Sequence, residues 1–130
     1  MKTMNILLDT HAAIWFFECD ERLSKSAIKV IFNLDNIIYV SVASLWEVAI
    51  KLSLSKLTFD DGFDGFLDAI HKNEFALLGI EPKHIRASMN LPHVHHDPFD
   101  RILIAQTIIE DMAIMTADAN ILKYELRTVW

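Results

Sequence analysis

The chain has 130 residues, 52% of them hydrophobic, and its 18 acidic and 12 basic side chains give a formal net charge of −6 with histidine neutral. The length fits one domain over residues 1–130, and a chain this apolar can offset the entropy of folding, which excludes a disordered protein. The acidic balance argues against a general nucleic-acid binder, because such proteins carry a basic face.

Nothing in the sequence indicates secretion or a membrane. The single cysteine, Cys19, excludes an intramolecular disulfide, which fits the reducing cytoplasm. No stretch approaches the roughly 18 apolar residues that cross a bilayer. Asp9 and His11 interrupt the apolar N-terminal run, and no small-residue cleavage site follows it, so we do not interpret it as a signal peptide. We therefore expect a cytoplasmic protein with no membrane segment.

Short apolar runs alternate with stretches of helical periodicity along the chain. In chain order, the pattern predicts a strand at 5–8, helices at 11–17 and 24–32, a strand at 37–40, a helix at 42–52, a helix within 60–74, a third apolar run at 75–80, helices beginning near 81 and 97, a strand at 113–115, a short helix at 120–124 and a last strand at 127–130. Strands that alternate with helices indicate an α/β fold with a mostly parallel sheet.

The helix that follows the histidine-rich stretch has the clearest boundary signals. Asp97 can cap it, and Pro98 stands at its first position, where the missing N–H costs nothing. Its apolar residues leave little polar surface, so we expect the helix to be sandwiched in the core. These residues are Ile102, Leu103, Ile104, Ile108 and Ile109.

Four acidic residues come from four distant segments of the predicted fold. Asp9 follows the first strand, Asp118 follows the strand that precedes the short C-terminal helix, and Glu47 and Asp100 lie on two helices. Chemistry in open parallel sheets collects beyond the carboxyl ends of the strands, so these four could meet at one rim. Carboxylates at such short distances from one another cannot all ionise without a cation, so either some are protonated or a divalent metal neutralises them. Oxygen ligands of this kind suit Mg²⁺ or Mn²⁺.

The same acids also have ordinary structural explanations. Asp97 and Asp100 suit a helix N-terminus as a cap and a dipole partner. Ser44 and Glu47 match a capping box, whereas Ser41 is an equally good cap that would place Glu47 inside the helix. An Asp that follows a strand is often only a turn former.

The polar residues beside these acids have open roles. Thr10 could bond a metal ligand or begin a turn, and His11 could face the site or bond the nearby backbone. Arg101 could pair with an acid, touch substrate or form a surface salt bridge. The lysines near the predicted rim could contact phosphate or belong to solvated helix faces. They are Lys25, Lys29, Lys51 and Lys56.

Histidines and aromatic residues are concentrated in two stretches. His93, His95 and His96 share a short irregular segment without cysteine, which is not a recognisable zinc spacing, so we expect them to cap, to hydrogen-bond or to approach phosphate. Aromatic residues on two predicted helices exceed what a small core needs. We expect most of them to be buried and the remainder to form an exposed partner surface. They are Trp15, Phe16, Phe17 and Trp46.

Four segments give the chain a family resemblance. NILLDTHAAIW, SVASLWEVAIK, HHDPFDRILIAQ and MTADANI, in that order, resemble the PIN-domain nucleases and, among them, the VapC-type toxins of toxin–antitoxin pairs. The resemblance extends from residue 4 to residue 130. It implies a PIN-like (Rossmann-like) α/β/α sandwich with a mostly parallel central sheet, and an Mg²⁺- or Mn²⁺-dependent endoribonuclease. The chain departs from the family at Val94, which separates the paired histidines from the preceding Leu-Pro-His.

The resemblance also implies a site and partners. The family's acids carry over to Asp9, Glu47, Asp100 and Asp118, with Asp9 and Asp100 as metal ligands. Asp97 is acidic in similar sequences, so we expect it beside the ligands. The implied partners are an RNA substrate, a cognate antitoxin and a second copy of the chain in a homodimer. Without the four site acids, 14 acidic side chains stand against 12 basic ones, so the remaining surface is nearly balanced.

Two other functions remain open on sequence alone. A metal-dependent phosphohydrolase of small phosphoesters would share the acidic rim, although Asp9-Thr10-His11 does not match the Asp-x-Asp or Asp-x-Thr of the haloacid-dehalogenase type. A catalytically silent PIN module that only binds is the other, and the full set of acids argues against it. The RNA target is not readable, because cleavage specificity depends on loops and groove shape.

Overall fold

The computed structural model describes residues 3–130, in which five parallel strands form one sheet with helices on both faces. The strands are β1 (Asn5–Leu8), β2 (Ile37–Ser41), β3 (Ala76–Leu78), β4 (Ala113–Met115) and β5 (Thr128–Val129). The helices are α1 (Thr10–Phe17), α2 (Lys25–Phe32), α3 (Val42–Ser53), α4 (Gly62–Lys72), α5 (Pro82–Met89) and α6 (Pro98–Ile109), followed by one 3₁₀ turn at Ile121–Lys123. The predicted α/β sandwich is confirmed, and the sheet is entirely parallel.

The strand order β3-β2-β1-β4-β5 places β1 at the centre of the sheet. The chain adds β2 and β3 on one side of β1 and β4 and β5 on the other, so the strand order reverses between β1 and β4. Leu8 is level with Val40 of β2 and with Met115 of β4. The residues that follow these strands therefore emerge at one edge, where α/β proteins commonly bind ligands.

Alternation along β1 divides the core between the two faces of the sheet. Ile6 and Leu8 join one apolar cluster with α1, α2 and α4, and Leu7 joins the other with α6. All three side chains are fully buried. Strands of parallel sheets are typically buried on both faces. Packing from both sides holds β1, and therefore the residue that follows it, at the sheet edge described above.

Side-chain caps set the starts of the helices that leave this edge. Ser41 accepts a hydrogen bond from the Ala43 N–H at 3.0 Å, so α3 begins at Val42 and Glu47 lies inside the helix. Ser41 is thus the cap, and the Ser44 capping box is not formed. Asp97 caps α6 by accepting from the Asp100 N–H at 2.9 Å, as predicted.

The expectation that all of α6 is sandwiched in the core is wrong for its last turn. Leu103 and Ile104 are buried, but Ile108 and Ile109 are 49% and 42% exposed. Gln106 and Thr107 of the same turn are buried. The end of α6 is therefore covered on one face and exposed on the other, rather than sandwiched.

The aromatic residues also divide between core and surface. Trp15, Phe16 and Phe17 are partly buried against the cluster around α1, whereas Trp46 is 63% exposed. In residues 3–130 we find no helix with both the length and the apolar character needed to cross a bilayer.

The Ser41 cap gives a test of how α3 is held. We expect Ser41→Ala to lower the free energy of unfolding by about 1 kcal/mol, the usual cost of losing an N-cap. Urea denaturation of the two proteins measures the difference. Ser53→Ala, at the exposed end of the same helix, is the control and should change stability by less than about 0.5 kcal/mol. Equal losses in both variants would contradict the assignment of the cap.

Candidate active site

A small cleft lies at the sheet edge where β1 and β4 end. Its volume is about 110 Å³, and it is lined by Asp9, Thr10, His11, Glu47, Lys51, Asp97, Asp100 and Asp118. The four predicted acids are all in this set, together with Asp97, Thr10 and His11. Arg101, the remaining predicted contact, does not line the cleft.

Asp9 is the most deeply placed of these acids, with 5% of its surface exposed. Its backbone N–H donates to the Met115 carbonyl at 3.1 Å, which continues the pairing of β1 with β4. One carboxylate oxygen caps α1 by accepting from the Ala12 N–H at 2.7 Å, and the other accepts from the Thr116 hydroxyl. Burial nevertheless raises the pKa of Asp9, because desolvation of the anion outweighs the hydrogen bonds that favour it.

Glu47 is held from two sides on α3. Its Oε1 accepts from the Thr10 hydroxyl at 2.7 Å, and its Oε2 forms an ion pair with Lys51, one turn later, at 2.9 Å. The Thr10 hydroxyl also lies 2.9 Å from the Ser44 hydroxyl. The Thr10 hydroxyl has one proton, which it donates in the hydrogen bond to the charged carboxylate. The Ser44 hydroxyl therefore donates to the Thr10 oxygen. Thr10 thereby orients Glu47 across the cleft from α1.

Asp100 faces the cleft from the first turn of α6. Burial first, and then the nearby charge of Asp97, raise the pKa of Asp100 to about 6, although a hydrogen bond from His95 opposes the shift. Asp118 adds to the rise from the loop after β4. The Asp118 side chain is fixed by the Asn120 N–H, which donates to its Oδ1 at 2.8 Å.

The charges of the cleft are unbalanced. Five carboxylates line it against a single lysine, Lys51, among the described residues. Asp9 and Asp100 carry raised pKa values, so their ionised forms lack sufficient compensation from the protein itself. An all-oxygen donor set with excess negative charge fits a hard divalent cation such as Mg²⁺ or Mn²⁺.

A second cluster of metal-binding side chains, Glu81, His84 and Glu110, is closed by its own hydrogen bonds. Potential ligand atoms of the three lie within 4.8 Å of one another. The Glu81 N–H donates to His84 Nδ1 at 3.0 Å, so the ring proton lies on Nε2, which donates to Glu110 Oε2 at 2.8 Å. Lys83 also contacts that carboxylate at 3.1 Å. Because both ring nitrogens are committed, this cluster joins α5 to Glu110 rather than offering a ligand set.

The histidine-rich segment is tied to α6 by Arg101. The guanidinium donates to the carbonyls of Ser88 and Pro92 at 2.9 Å each, and its other hydrogen bonds reach the carbonyls of Leu91 and His95 and the Tyr124 hydroxyl. None of these acceptors is a carboxylate, so Arg101 differs from the acid-pairing roles considered for it.

Two residues of the site were missed by sequence reasoning. Thr116 holds Asp9, and Tyr124 contacts His95 Nδ1 at 2.9 Å. Thr116 had a usable signal, since it directly follows a strand two residues before a predicted acid. Tyr124 had none, because it lies 29 residues from His95 on a different element.

Comparisons with known proteins identify a matching family and similar folds. A family model described as "PIN domain" matches residues 6–126. No curated protein matches the chain significantly.

Three solved structures have similar folds. VapBC2 from Rickettsia felis bound to a DNA fragment from its promoter gives a TM-score of 0.71 at 16% identity, covering 97% of this chain and 98% of that one. FitAcB from Neisseria gonorrhoeae gives 0.68 at 14% identity, covering 96% of each chain. VapBC-1 from nontypeable Haemophilus influenzae gives 0.68 at 12% identity, covering 97% of each. At such identities the likeness shows the fold.

The raised pKa of Asp100 predicts that this residue destabilises the metal-free protein at neutral pH. A carboxyl group whose pKa is raised on folding stabilises fully below its ordinary pKa of about 4, and that contribution is lost as the pH rises through about 6. We therefore expect Asp100→Asn to raise the unfolding temperature at pH 7.5 in EDTA by a few degrees. Thermal unfolding monitored by circular dichroism measures the difference.

The advantage of Asp100→Asn should shrink as the pH falls from 7.5 to 5, because the wild-type carboxyl group then becomes protonated. Asp64→Asn, which removes the same charge from the exposed surface of α4, is the control and should give no such pH-dependent gain. Lower stability of Asp100→Asn than of the wild type across this pH range would contradict the electrostatic account.

Proposed function

The chain belongs to the PIN-domain family, and on this premise we propose that residues 1–130 form one PIN domain that acts as a metal-dependent endoribonuclease. The observation that carries the proposal is the meeting of five carboxylates from four separate segments around one small cleft. Two of them, Asp9 and Asp100, have raised pKa values and gain most from a cation.

Asp9 and Asp100 would hold the Mg²⁺ or Mn²⁺ ion, with Glu47 and Asp118 completing the ligand set or orienting water. A bound divalent cation would supply Lewis-acid polarisation of a phosphoryl oxygen and a more acidic water. The protein's own contribution is orientation: Thr116 fixes Asp9, and Thr10 with Lys51 fixes Glu47. Preorganised groups of this kind do not have to rearrange as charge develops on the phosphate.

Lys51 gives the cleft one permanent positive charge, which would lie near the phosphodiester of a bound RNA. Its side chain is one-third exposed and lines the cleft beside Glu47. His11 also lines the cleft, with its ring 5.6 Å from the ring of Trp15. We expect both residues to contact a phosphate or a base that approaches the carboxylates.

The size of the cleft favours a polymeric substrate over a small phosphoester. Pockets that enclose a small molecule typically measure about 300–1,000 Å³. The cleft measures about 110 Å³, which is enough for a phosphate group and its immediate neighbours. This supports cleavage of an RNA chain lying across the rim rather than hydrolysis of an enclosed small phosphoester.

We further propose that the protein is the toxin of a toxin–antitoxin pair, acting in the cytoplasm as a homodimer. The fold similarity to VapBC2 and VapBC-1 supports this proposal. So does a second groove of about 1100 Å³, lined by aromatic residues of α1 and by residues of α2 and α4. Acidic residues such as Glu21, Asp60 and Asp68 border its apolar floor, so the groove suits an apolar antitoxin segment flanked by basic side chains.

Purified protein should cleave single-stranded RNA with Mg²⁺ or Mn²⁺ and lose this activity in EDTA. Asp9→Asn and Asp100→Asn should each reduce cleavage about 100-fold or more, the scale seen when preorganised electrostatic stabilisation is removed. Gel analysis of cleaved RNA gives the rates, and Asp64→Asn controls for the change in net charge. Full cleavage by both site variants, with their fold intact, would overturn the assignment.

The antitoxin proposal predicts binding to the product of the neighbouring open reading frame at the aromatic groove. Phe32→Glu places a charge on a groove residue that is 66% exposed and should weaken binding at least tenfold without changing RNA cleavage. Ile109→Glu, at an exposed position away from the groove, is the control. Calorimetric titration measures both. Equal affinity of the two variants would contradict the groove as the docking site.

A further inference from the structure

A chain of hydrogen bonds leads from Arg101 to Asp100 through two aromatic side chains. Arg101 Nη1 lies 3.1 Å from the Tyr124 hydroxyl, which lies 2.9 Å from His95 Nδ1. His95 Nε2 lies 3.2 Å from Asp100 Oδ2. The Tyr124 and His95 rings meet nearly edge to face, with centroids 5.4 Å apart and planes at 68°.

The two ends of this network fix the direction of its hydrogen bonds. An ionised carboxylate only accepts, so Asp100 Oδ2 accepts from the N–H of His95 Nε2. A neutral imidazole with its proton on Nε2 has Nδ1 as an acceptor, so the Tyr124 hydroxyl donates to Nδ1. A guanidinium group only donates, so the Tyr124 oxygen accepts from Arg101.

The hydrogen-bond network is anchored at its far end and largely shielded from solvent. Arg101 is held by the carbonyls of Ser88 and Pro92, so it cannot swing away without breaking those bonds. Tyr124 is 8% exposed, and the His95 side chain is 10% exposed. Hydrogen bonds in such a setting are stronger than in water and hold their donors in one orientation.

We propose that Tyr124 and His95 are positioning residues that orient the Asp100 carboxylate for the divalent cation. The Tyr124 hydroxyl, which Arg101 anchors, donates to His95 Nδ1 and so favours the tautomer whose Nε2–H holds one oxygen of Asp100. The inference rests on the metal-dependent function proposed above. Partners of this kind typically contribute 10- to 100-fold to metal affinity.

The same geometry argues against His95 as a metal ligand or as a general base. Nδ1 is occupied by Tyr124 and Nε2 by Asp100, so neither nitrogen is available to bind a metal or to take a proton from water. His93 and His96 lie beside each other, with ring centroids 6.5 Å apart, and neither belongs to this hydrogen-bond network. His95 is therefore the histidine of the segment that acts on the cleft, and it does so through Asp100.

The tautomer can be tested without any metal. Nitrogen-15 NMR of ¹⁵N-histidine-labelled protein should show His95 with the proton on Nε2 and an unprotonated Nδ1. Tyr124→Phe removes the hydroxyl that donates to Nδ1 and should change the His95 signals. Tyr39→Phe, which removes the only other tyrosine hydroxyl of the chain, should leave them unchanged. A proton on His95 Nδ1 in the wild type would overturn the proposed hydrogen-bond network.

The effect on the cation is measured by calorimetric titration with Mn²⁺. Gln at position 95 can place an N–H near the position of the imidazole Nε2, whereas Asn places its N–H near that of Nδ1. We therefore expect His95→Gln to bind Mn²⁺ close to wild type, and His95→Asn and Tyr124→Phe to bind it about 10- to 100-fold more weakly. Circular dichroism confirms that each variant is folded, and Tyr39→Phe should match the wild type.

The outcomes separate the positioning proposal from the function on which it rests. Wild-type affinity in folded His95→Asn and Tyr124→Phe overturns the positioning role while the nuclease proposal stands. Equal weakening in His95→Gln and His95→Asn shows that the directed N–H is not what matters and also overturns it. A wild-type protein that binds no Mn²⁺ and cleaves no RNA overturns the proposed function itself, whatever the tautomer of His95.

Discussion

The burial of Asp9 between β1 and β4 is the constraint on which the rest of the site depends. This one residue continues the pairing of the two strands through its N–H, caps α1 with one oxygen and accepts from Thr116 with the other. The fold therefore fixes a carboxylate where the strand order reverses and where little water can solvate it. Its raised pKa is the electrostatic consequence of that position.

Two of the other acids are held by side chains from outside their own helices. Thr10 of α1 donates to Glu47 of α3, and His95 of the segment before α6 bonds Asp100. The carboxylates are thus fixed in place at the expense of mutual repulsion, which a divalent cation would relieve. A site of this kind gives up stability in the metal-free state, as is common where function requires charges to be gathered. Five of the 18 acidic side chains line the cleft, where a cation would bind.

The sequence predicted those features of the structure that depend on neighbouring residues in the chain, and it missed those that depend on tertiary contacts. The strands followed from short apolar runs, and the Asp97 cap followed from the Pro98 start. Asp9 and Asp118 followed from their positions just after strands, whereas Glu47 and Asp100 were predicted on helices and through the family resemblance. The exposure of Ile108 did not follow, because the apolar pattern of α6 does not reveal that its last turn is covered on only one face. Tyr124 and the contacts of Arg101 depend on tertiary neighbours that no local pattern encodes.

The central claim is that these carboxylates form a divalent-metal centre for phosphodiester cleavage. Crystals of the protein grown with Mn²⁺ and measured at the manganese absorption edge test it most directly. The account predicts an anomalous peak in direct contact with Asp9 and Asp100. A peak at Glu81, His84 and Glu110 instead, or no peak in the cleft while cleavage still requires Mn²⁺, would contradict it.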